Sequence, residues 1–325
     1  MSMEPLKAER RFESLQGLCS VAQQTREELI KAEHLSKHFP IKGTFGRTMR
    51  VIKAVDDVSL SVFRSETLAV VGESGSGKTT LGRCLMQMEP ETAGQVWYSG
   101  VNITALPERE RLQYHRNMQV VYQDPFSSLN PHRSALEQVL EPLQVLNPAG
   151  ANGENEQRAV EVLAMVGITG SDIHRYPRNF SGGQRQRIGI ARAVSVRPEF
   201  IFCDEPVSSL DLSVQAQVLR LLSELQVELG LTYLFVSHDL SVVRDISTRS
   251  AVMHNGRVLE LGPTDEVFAA PRHPYTKALL AAIPIADPKL ARERHAKQQQ
   301  IAPYDGQGDR GELVEETPGH WVAGV

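Results

Sequence analysis

The stretch "GESGSGKTT", Gly72 to Thr80, decides the fold. It fits the pattern GxxxxGK[ST] at Gly72, Gly77, Lys78 and Thr79. The β-branched run "ETLAVV" precedes it and "TTLGRCLMQM" follows at helical spacing, so the order is strand, glycine loop, helix. In that geometry the glycines let backbone N–H groups turn inward around phosphates, Lys78 reaches the terminal phosphate oxygens, and the Thr79 hydroxyl ligates Mg²⁺. The whole loop, Gly72, Glu73, Ser74, Gly75, Ser76, Gly77, Lys78, Thr79 and Thr80, is therefore assigned to nucleotide binding.

Outward from the loop, strands and helices alternate, which predicts an α/β fold with a mainly parallel sheet covered on both faces. The apolar strand "FIFC" ends in adjacent Asp204 and Glu205, two carboxylates at the edge where ligand sites of such sheets lie. Asp204 suits the metal shell, and Glu205 suits polarising a water in line with the terminal phosphate. Gln123, after "MQVVY", and His238, after "TYLFVS", stand at two further strand ends, within reach of the same phosphate, water or metal. A second anion site is predicted at "NFSGGQRQR", Asn179 to Arg187, where Ser181 is a natural helix N-cap followed by Gly182, Gly183 and Gln184 and by alternating amides and guanidiniums. One chain would not need two phosphate cradles for one nucleotide, and the residues alone leave open which anion the second site meets and on which molecule.

Composition sets the bounds. With 325 residues, 41% apolar, 23% charged and a formal charge of −4, the chain reads as an ordinary globular protein with no global basicity for nucleic acid. No apolar run approaches the about 18 residues that span a bilayer. Cys19, Cys84 and Cys203 have no metal-ligand spacing and read as small apolar residues. Residues 1–27 are expected to be a polar arm, 28–262 the nucleotide-binding domain with a helical insertion over about 107–180, and 263–325 a C-terminal extension. A hairpin is predicted at "SAVMHNGRVLELG", turning at Asn255-Gly256.

The ordered series "GESGSGKT", "VVYQDP", "FSGGQRQR", "FIFCDEP", "SSLD" and "VSHD" resembles the ATP-binding cassette (ABC) ATPases, over about residues 28 to 262. "RYPRNFSGGQRQRIGIAR" and the C-terminal "RHPYTKALLAAIP" narrow the resemblance to the second ATPase subunit of dipeptide/oligopeptide importers, a branch that includes nickel importers. The resemblance implies a P-loop core with an N-terminal antiparallel β-subdomain and an inserted α-helical subdomain. It implies Phe39 stacking on adenine, Gln123 sensing the terminal phosphate and metal, Glu205 as general base, His238 as switch residue, and Asp211 coupling two sites across a dimer. Ser181 and Gly183 would close on the nucleotide of the partner, head to tail.

The resemblance further implies ATP and Mg²⁺, a second homologous ATPase subunit forming a heterodimer, two transmembrane permease subunits and an extracytoplasmic solute-binding protein. It places the chain peripherally at the cytoplasmic face of the cell inner membrane, without nucleic acid. The expected function is to energise import of dipeptides or oligopeptides. The alternatives are nickel or another small solute, or a soluble cassette ATPase outside transport. Many relatives carry a four-cysteine iron-sulfur site after the HPY segment. The tail here has no cysteine, so no iron-sulfur cluster is predicted, and the tail is expected to be partly disordered.

Overall fold

The computed structural model describes residues 27–42, 48–146, 153–282, 304 and 311–324. The predicted polar arm therefore lies outside the described residues except at Glu27, and Cys19 with it.

Two sheets form the frame. β1 (Glu28–Lys42), β2 (Thr48–Phe63), β4 (Ala93–Tyr98) and β5 (Val101–Asn102) make an antiparallel sheet in the order β2-β1-β4-β5. The larger sheet contains β3 (Thr67–Val71), β6 (Met118–Val121), β7 (Phe200–Asp204), β8 (Thr232–Ser237), β9 (Arg249–His254), β10 (Arg257–Pro263), β11 (Leu313–Thr317) and β12 (His320–Ala323). Its order is β11-β12-β10-β9-β3-β8-β7-β6. The run from β9 to β6 is parallel, and β10, β12 and β11 extend it antiparallel.

The central strands are buried on both faces, which is why they read as continuous apolar runs rather than alternating ones. Period two still sorts their side chains. Leu68, Val70, Phe200, Phe202, Leu234 and Val236 pack toward the antiparallel sheet and the helix Lys78–Leu85. Ile201, Cys203, Tyr233 and Phe235 pack on the opposite face, against Leu222 and Leu225 of the helix Leu212–Leu229. Ala69 and Val71 face Val243 of the helix Leu240–Ile246, together with Leu259 and Tyr275. Burial pushes the Cys84 thiol up to about 12 and that of Cys203 higher still, so both behave as inert apolar residues.

The helical insertion is built from Ala135–Leu146 and Glu154–Met165, packed on the helix Gly182–Ser195. Nearer the start of 107–180, Tyr114 of the helix Glu108–His115 packs edge-on to Tyr98, and Met118 of β6 joins the core beneath the antiparallel sheet. The predicted turn at Asn255-Gly256 is present, with φ of 47° and 83°, the pair of positive values a type I′ hairpin needs. Part of the tail is ordered. Within residues 311–324, β11 and β12 pair with each other, and β12 pairs with β10 at Glu260↔Val322 and Leu261↔Trp321. The open edge of β10 supplies the order that the tail's own composition does not. Residues 283–303 and 305–310 lie outside the described residues. Among the described residues no helix is long and apolar enough to cross a membrane.

Candidate functional site

The four parallel neighbours β3, β8, β7 and β6 end side by side, and each ends in one piece of the site. β3 runs into the phosphate loop. Gly72, Gly75 and Gly77 have φ of 151°, 81° and 105°, values that favour glycine. Close approach adds a second reason at two of them. A Cβ on Gly72 would lie 2.0 Å from the Met253 carbonyl oxygen, and one on Gly77 would lie 1.9 Å from that of Ala54. Lys78 is buried, and its Nζ donates to the carbonyls of Gly72 at 2.9 Å and Glu73 at 2.8 Å. Burial holds its ammonium below the usual lysine range, and the carboxylates of Glu205, Asp204 and Glu73 pull it back up. Glu73, Ser74 and Gly75 are exposed at the loop's crown, Ser76 is buried, and Thr79 and Thr80 are half-buried in the first helical turn.

β7 delivers the two carboxylates to different environments. Asp204 is buried, and its Oδ1 accepts the Thr79 hydroxyl at 2.6 Å. Burial raises its pKa above the usual carboxylate range, against the opposing pull of the Thr79 hydrogen bond and Arg83. The hydroxyl and carboxylate are hard oxygen donors of the kind Mg²⁺ takes beside phosphate oxygens, so the residues fit that ion. Glu205, the next residue, leaves the strand at φ 47°, in the left-handed region. Its carboxylate collects the other two strand ends. Gln123 Nε2 donates to Glu205 Oε2 at 3.0 Å, and His238 Nδ1 lies 3.1 Å from the same oxygen. Three polar residues that follow β6, β7 and β8 thus meet at one oxygen. Phe39 is on β1, 37% exposed, with Lys37 Nζ 4.9 Å from its ring centroid. It pairs with Ile52, two residues before the Ala54 carbonyl that closes on Gly77.

The second predicted anion site stands apart. Among the described residues no hydrogen bond links Ser181–Gln184 to the phosphate loop. Ser181 caps the helix Gly182–Ser195 through a complete capping box: its Oγ accepts the Gln184 N–H at 3.3 Å, and its own N–H donates to Gln184 Oε1 at 3.0 Å. Gly182 is half-buried, but Gly183 is buried, and a Cβ there would meet Val214 Cγ1 at 2.3 Å. Within the chain, the guanidiniums of this stretch are engaged by neighbouring carbonyls and a ring. Arg185 donates to the Pro177 carbonyl and lies over the Phe126 ring at 3.9 Å, while Arg187 donates to the Val166 carbonyl. Helical rotation turns them toward carbonyls of the insertion, an arrangement the sequence alone does not reveal. Asp211 caps the helix Leu212–Leu229, accepting from Val214 N–H at 3.1 Å and Ser213 Oγ at 2.8 Å, and these bonds lower its pKa.

Sequence reasoning missed how the site is wired to the insertion. Buried Gln186 donates to the Tyr122 carbonyl at 3.3 Å, and Arg192 donates to that of Ser128 at 2.6 Å. Ser209 Oγ donates to the Gln123 carbonyl at 3.4 Å. The segment Tyr122–Ser128 is therefore fastened to the helix that begins at Ser181. Another missed contact comes from the C-terminal extension, where the Tyr275 hydroxyl accepts the Glu73 N–H at 3.2 Å.

The ABC transporter family matches residues 55–208, and the oligopeptide/dipeptide transporter C-terminal region matches 259–310. The oligopeptide transport ATP-binding protein OppF of Bacillus subtilis is 46% identical, covering 91% of this chain and 96% of its own length. A probable peptide ABC transporter ATP-binding protein of Sinorhizobium fredii is 48% identical over 82% of this chain and 75% of that protein. Among solved structures, a dimeric ATP-binding cassette in a post-hydrolysis state, bound to ADP and Pi, aligns with a TM-score of 0.65 at 28% identity. The alignment covers 73% of this chain and 99% of that one.

Proposed function

The chain belongs to the ABC transporter family of ATP-binding subunits, in the branch with the oligopeptide/dipeptide C-terminal region, and from that premise we propose that it hydrolyses ATP to drive an oligopeptide importer. The observation that carries the reading is the convergence of Gln123 and His238 on Glu205, one residue from the Asp204–Thr79 pair. A carboxylate fixed by an amide and an imidazole is oriented to take a proton from an attacking water. The phosphate loop and Lys78 hold the β- and γ-phosphates, and Thr79, Asp204 and Gln123 would hold Mg²⁺. When bound, the ion neutralises charge that develops on the phosphoryl oxygens. His238, more exposed than Glu205, positions the γ-phosphate from the solvent side.

The near side of the nucleotide is supplied by this chain and the far side by a second, homologous subunit, whose capped helix faces it as Ser181 faces the partner's site. A solved relative that is a dimer bound to ADP and Pi supports the pairing of two such subunits. Phe39 stacks on adenine and Asp211 couples the two sites. Closing the dimer moves the helical insertion through Gln186 and Arg192, which grip the Gln123 segment, and two permease subunits receive the motion. The chain then sits peripherally at the cytoplasmic membrane face, and an extracytoplasmic binding protein presents the peptide. Steady-state ATPase measurement of Glu205→Gln in the assembled transporter tests the reading. We expect a fall of about a hundredfold or more in kcat with nucleotide still bound, whereas turnover close to wild type removes Glu205 from the role of base.

A further inference from the structure

Tyr275 lies in the helix Pro274–Ala281, outside every loop used in the cycle above, yet it touches the phosphate loop. Its side chain is buried at 2% exposure, and its hydroxyl oxygen accepts the Glu73 backbone N–H at 3.2 Å. The same residue is held from the other side, because the Glu73 carbonyl accepts Lys78 Nζ at 2.8 Å and the Ser76 N–H at 3.2 Å. The Tyr275 ring packs on His254 at 4.2 Å between centroids. His254 follows Met253, whose carbonyl closes on Gly72. At the other end of the loop, the Gly256 N–H donates to the Ser76 carbonyl at 2.9 Å. A glycine-rich loop has much conformational freedom to lose, and residues from Met253 onward fasten this one at both ends.

The helix that carries Tyr275 is itself anchored. His273 caps it, its Nδ1 accepting the Tyr275 N–H at 3.1 Å. Fully buried Glu260 accepts the N–H groups of Arg272 and His273, each at 3.0 Å, and lies 2.8 Å from Nε2 of buried His320 in β12. Arg272 reaches Glu316 and Thr317 of β11. One carboxylate thus joins β10, the start of the helix and the tail hairpin. The bond from Glu73 to Tyr275 joins the two separate regions in which this chain matches known families.

From this geometry we infer that Tyr275 is a positioning residue for nucleotide binding. It holds the Gly72–Glu73 peptide in the phosphate-receiving conformation, and it makes nucleotide affinity depend on the docked C-terminal extension. The inference rests on the reading of the chain as an ATP-binding subunit. Tyr275 touches no substrate. Its effect is to raise the fraction of loops ready to bind, and the apparent affinity follows that fraction.

The test is equilibrium titration of the full-length chain with ADP and Mg²⁺, together with ATPase kinetics of the assembled transporter. Losing one neutral hydrogen bond corresponds to about a fivefold change in an equilibrium. Tyr275→Phe, which keeps the ring on His254, is therefore expected to weaken ADP by between twofold and about fivefold and to raise KM for ATP by a similar factor with kcat unchanged. Thr276→Val, at the buried neighbour, is expected to bind as wild type. Glu260→Gln is expected to weaken ADP also, and its effect and that of Tyr275→Phe are expected not to add, since both act through one contact. Wild-type ADP affinity in a folded Tyr275→Phe overturns the inference, as does an equal loss in Thr276→Val, which would mean general loosening of the helix. If Tyr275→Phe does not fold, unchanged affinity in folded Glu260→Gln overturns it instead. A wild-type chain that neither binds ADP nor hydrolyses ATP overturns the functional reading and this inference with it. Normal wild-type binding beside an inert Tyr275→Phe overturns this inference alone.

Discussion

The cap that Ser181 makes in its own chain and the role proposed for it toward a partner are chemically separable. Within its own chain it closes a capping box with Gln184, and such a cap contributes about 1 kcal/mol to its helix. Toward a partner it offers an exposed hydroxyl at a helix N-terminus. Ser181→Arg removes the cap and puts a long cation where the partner's phosphate would sit. The expected outcome is loss of ATP-dependent pairing, read by size-exclusion chromatography with a hydrolysis-deficient partner. ADP binding at this chain's own Lys78 should stay within about twofold of wild type, because no hydrogen bond joins the two places among the described residues. Loss of ADP binding would instead assign Ser181 to its own chain's nucleotide. Gly183→Asp does not make this distinction: a Cβ at Gly183 already meets Val214 at 2.3 Å, so the substitution damages packing before it reaches any phosphate.

At the scale of elements, the helix Gly182–Ser195 is set against Leu212–Leu229 by that same contact. Gly183→Ala is expected to cost about 1 to 3 kcal/mol by overpacking. Val214→Ala, placed in the same chain, should recover most of it, and chemical denaturation of the two single variants and the double variant checks this. Strict additivity would mean that the two side chains do not meet. The elements differed in how far local sequence revealed them. The phosphate loop and the strands that lead to Gln123, Asp204 and His238 were legible because loop chemistry and apolar runs are local signals. Their meeting at Glu205 is set by strand order, which the sequence does not state outright. For Arg185 and Arg187 the sequence gives a direction along the helix but not the carbonyls of Pro177 and Val166 that accept from them. β12 is the clearest failure of local reading. Four residues near the end of a polar tail become a strand because β10, 60 positions earlier at Glu260, offers an edge and a buried carboxylate to His320.

The two sheets that frame the molecule are clasped beside the phosphate loop. Asp56 of β2 accepts from Arg257 of β10 through Nε at 3.1 Å and Nη2 at 2.9 Å, and its N–H donates to the Gly256 carbonyl at 2.8 Å. Lys53 adds a third cationic hydrogen bond at 3.2 Å. Burial alone would raise the Asp56 pKa, but the hydrogen bonds and charges of Arg257 and Lys53 outweigh it and hold the carboxyl below the usual range. The sign follows from linkage. A carboxyl whose pKa is depressed by folding binds protons more readily when unfolded, so its contribution to stability is fully present above the unfolded value of about 3.9. It is lost as pH falls from there through the folded value. Asp56→Asn keeps the shape and removes the charge. Melting curves from pH 7 down to pH 3 are therefore expected to show the variant less stable than wild type near neutrality. The gap should hold steady down to about pH 5 and close below about pH 4. A gap that persists unchanged into acid would mean that the sheets are clasped by the shape of Asp56 and its backbone bond to Gly256, and not by its charge.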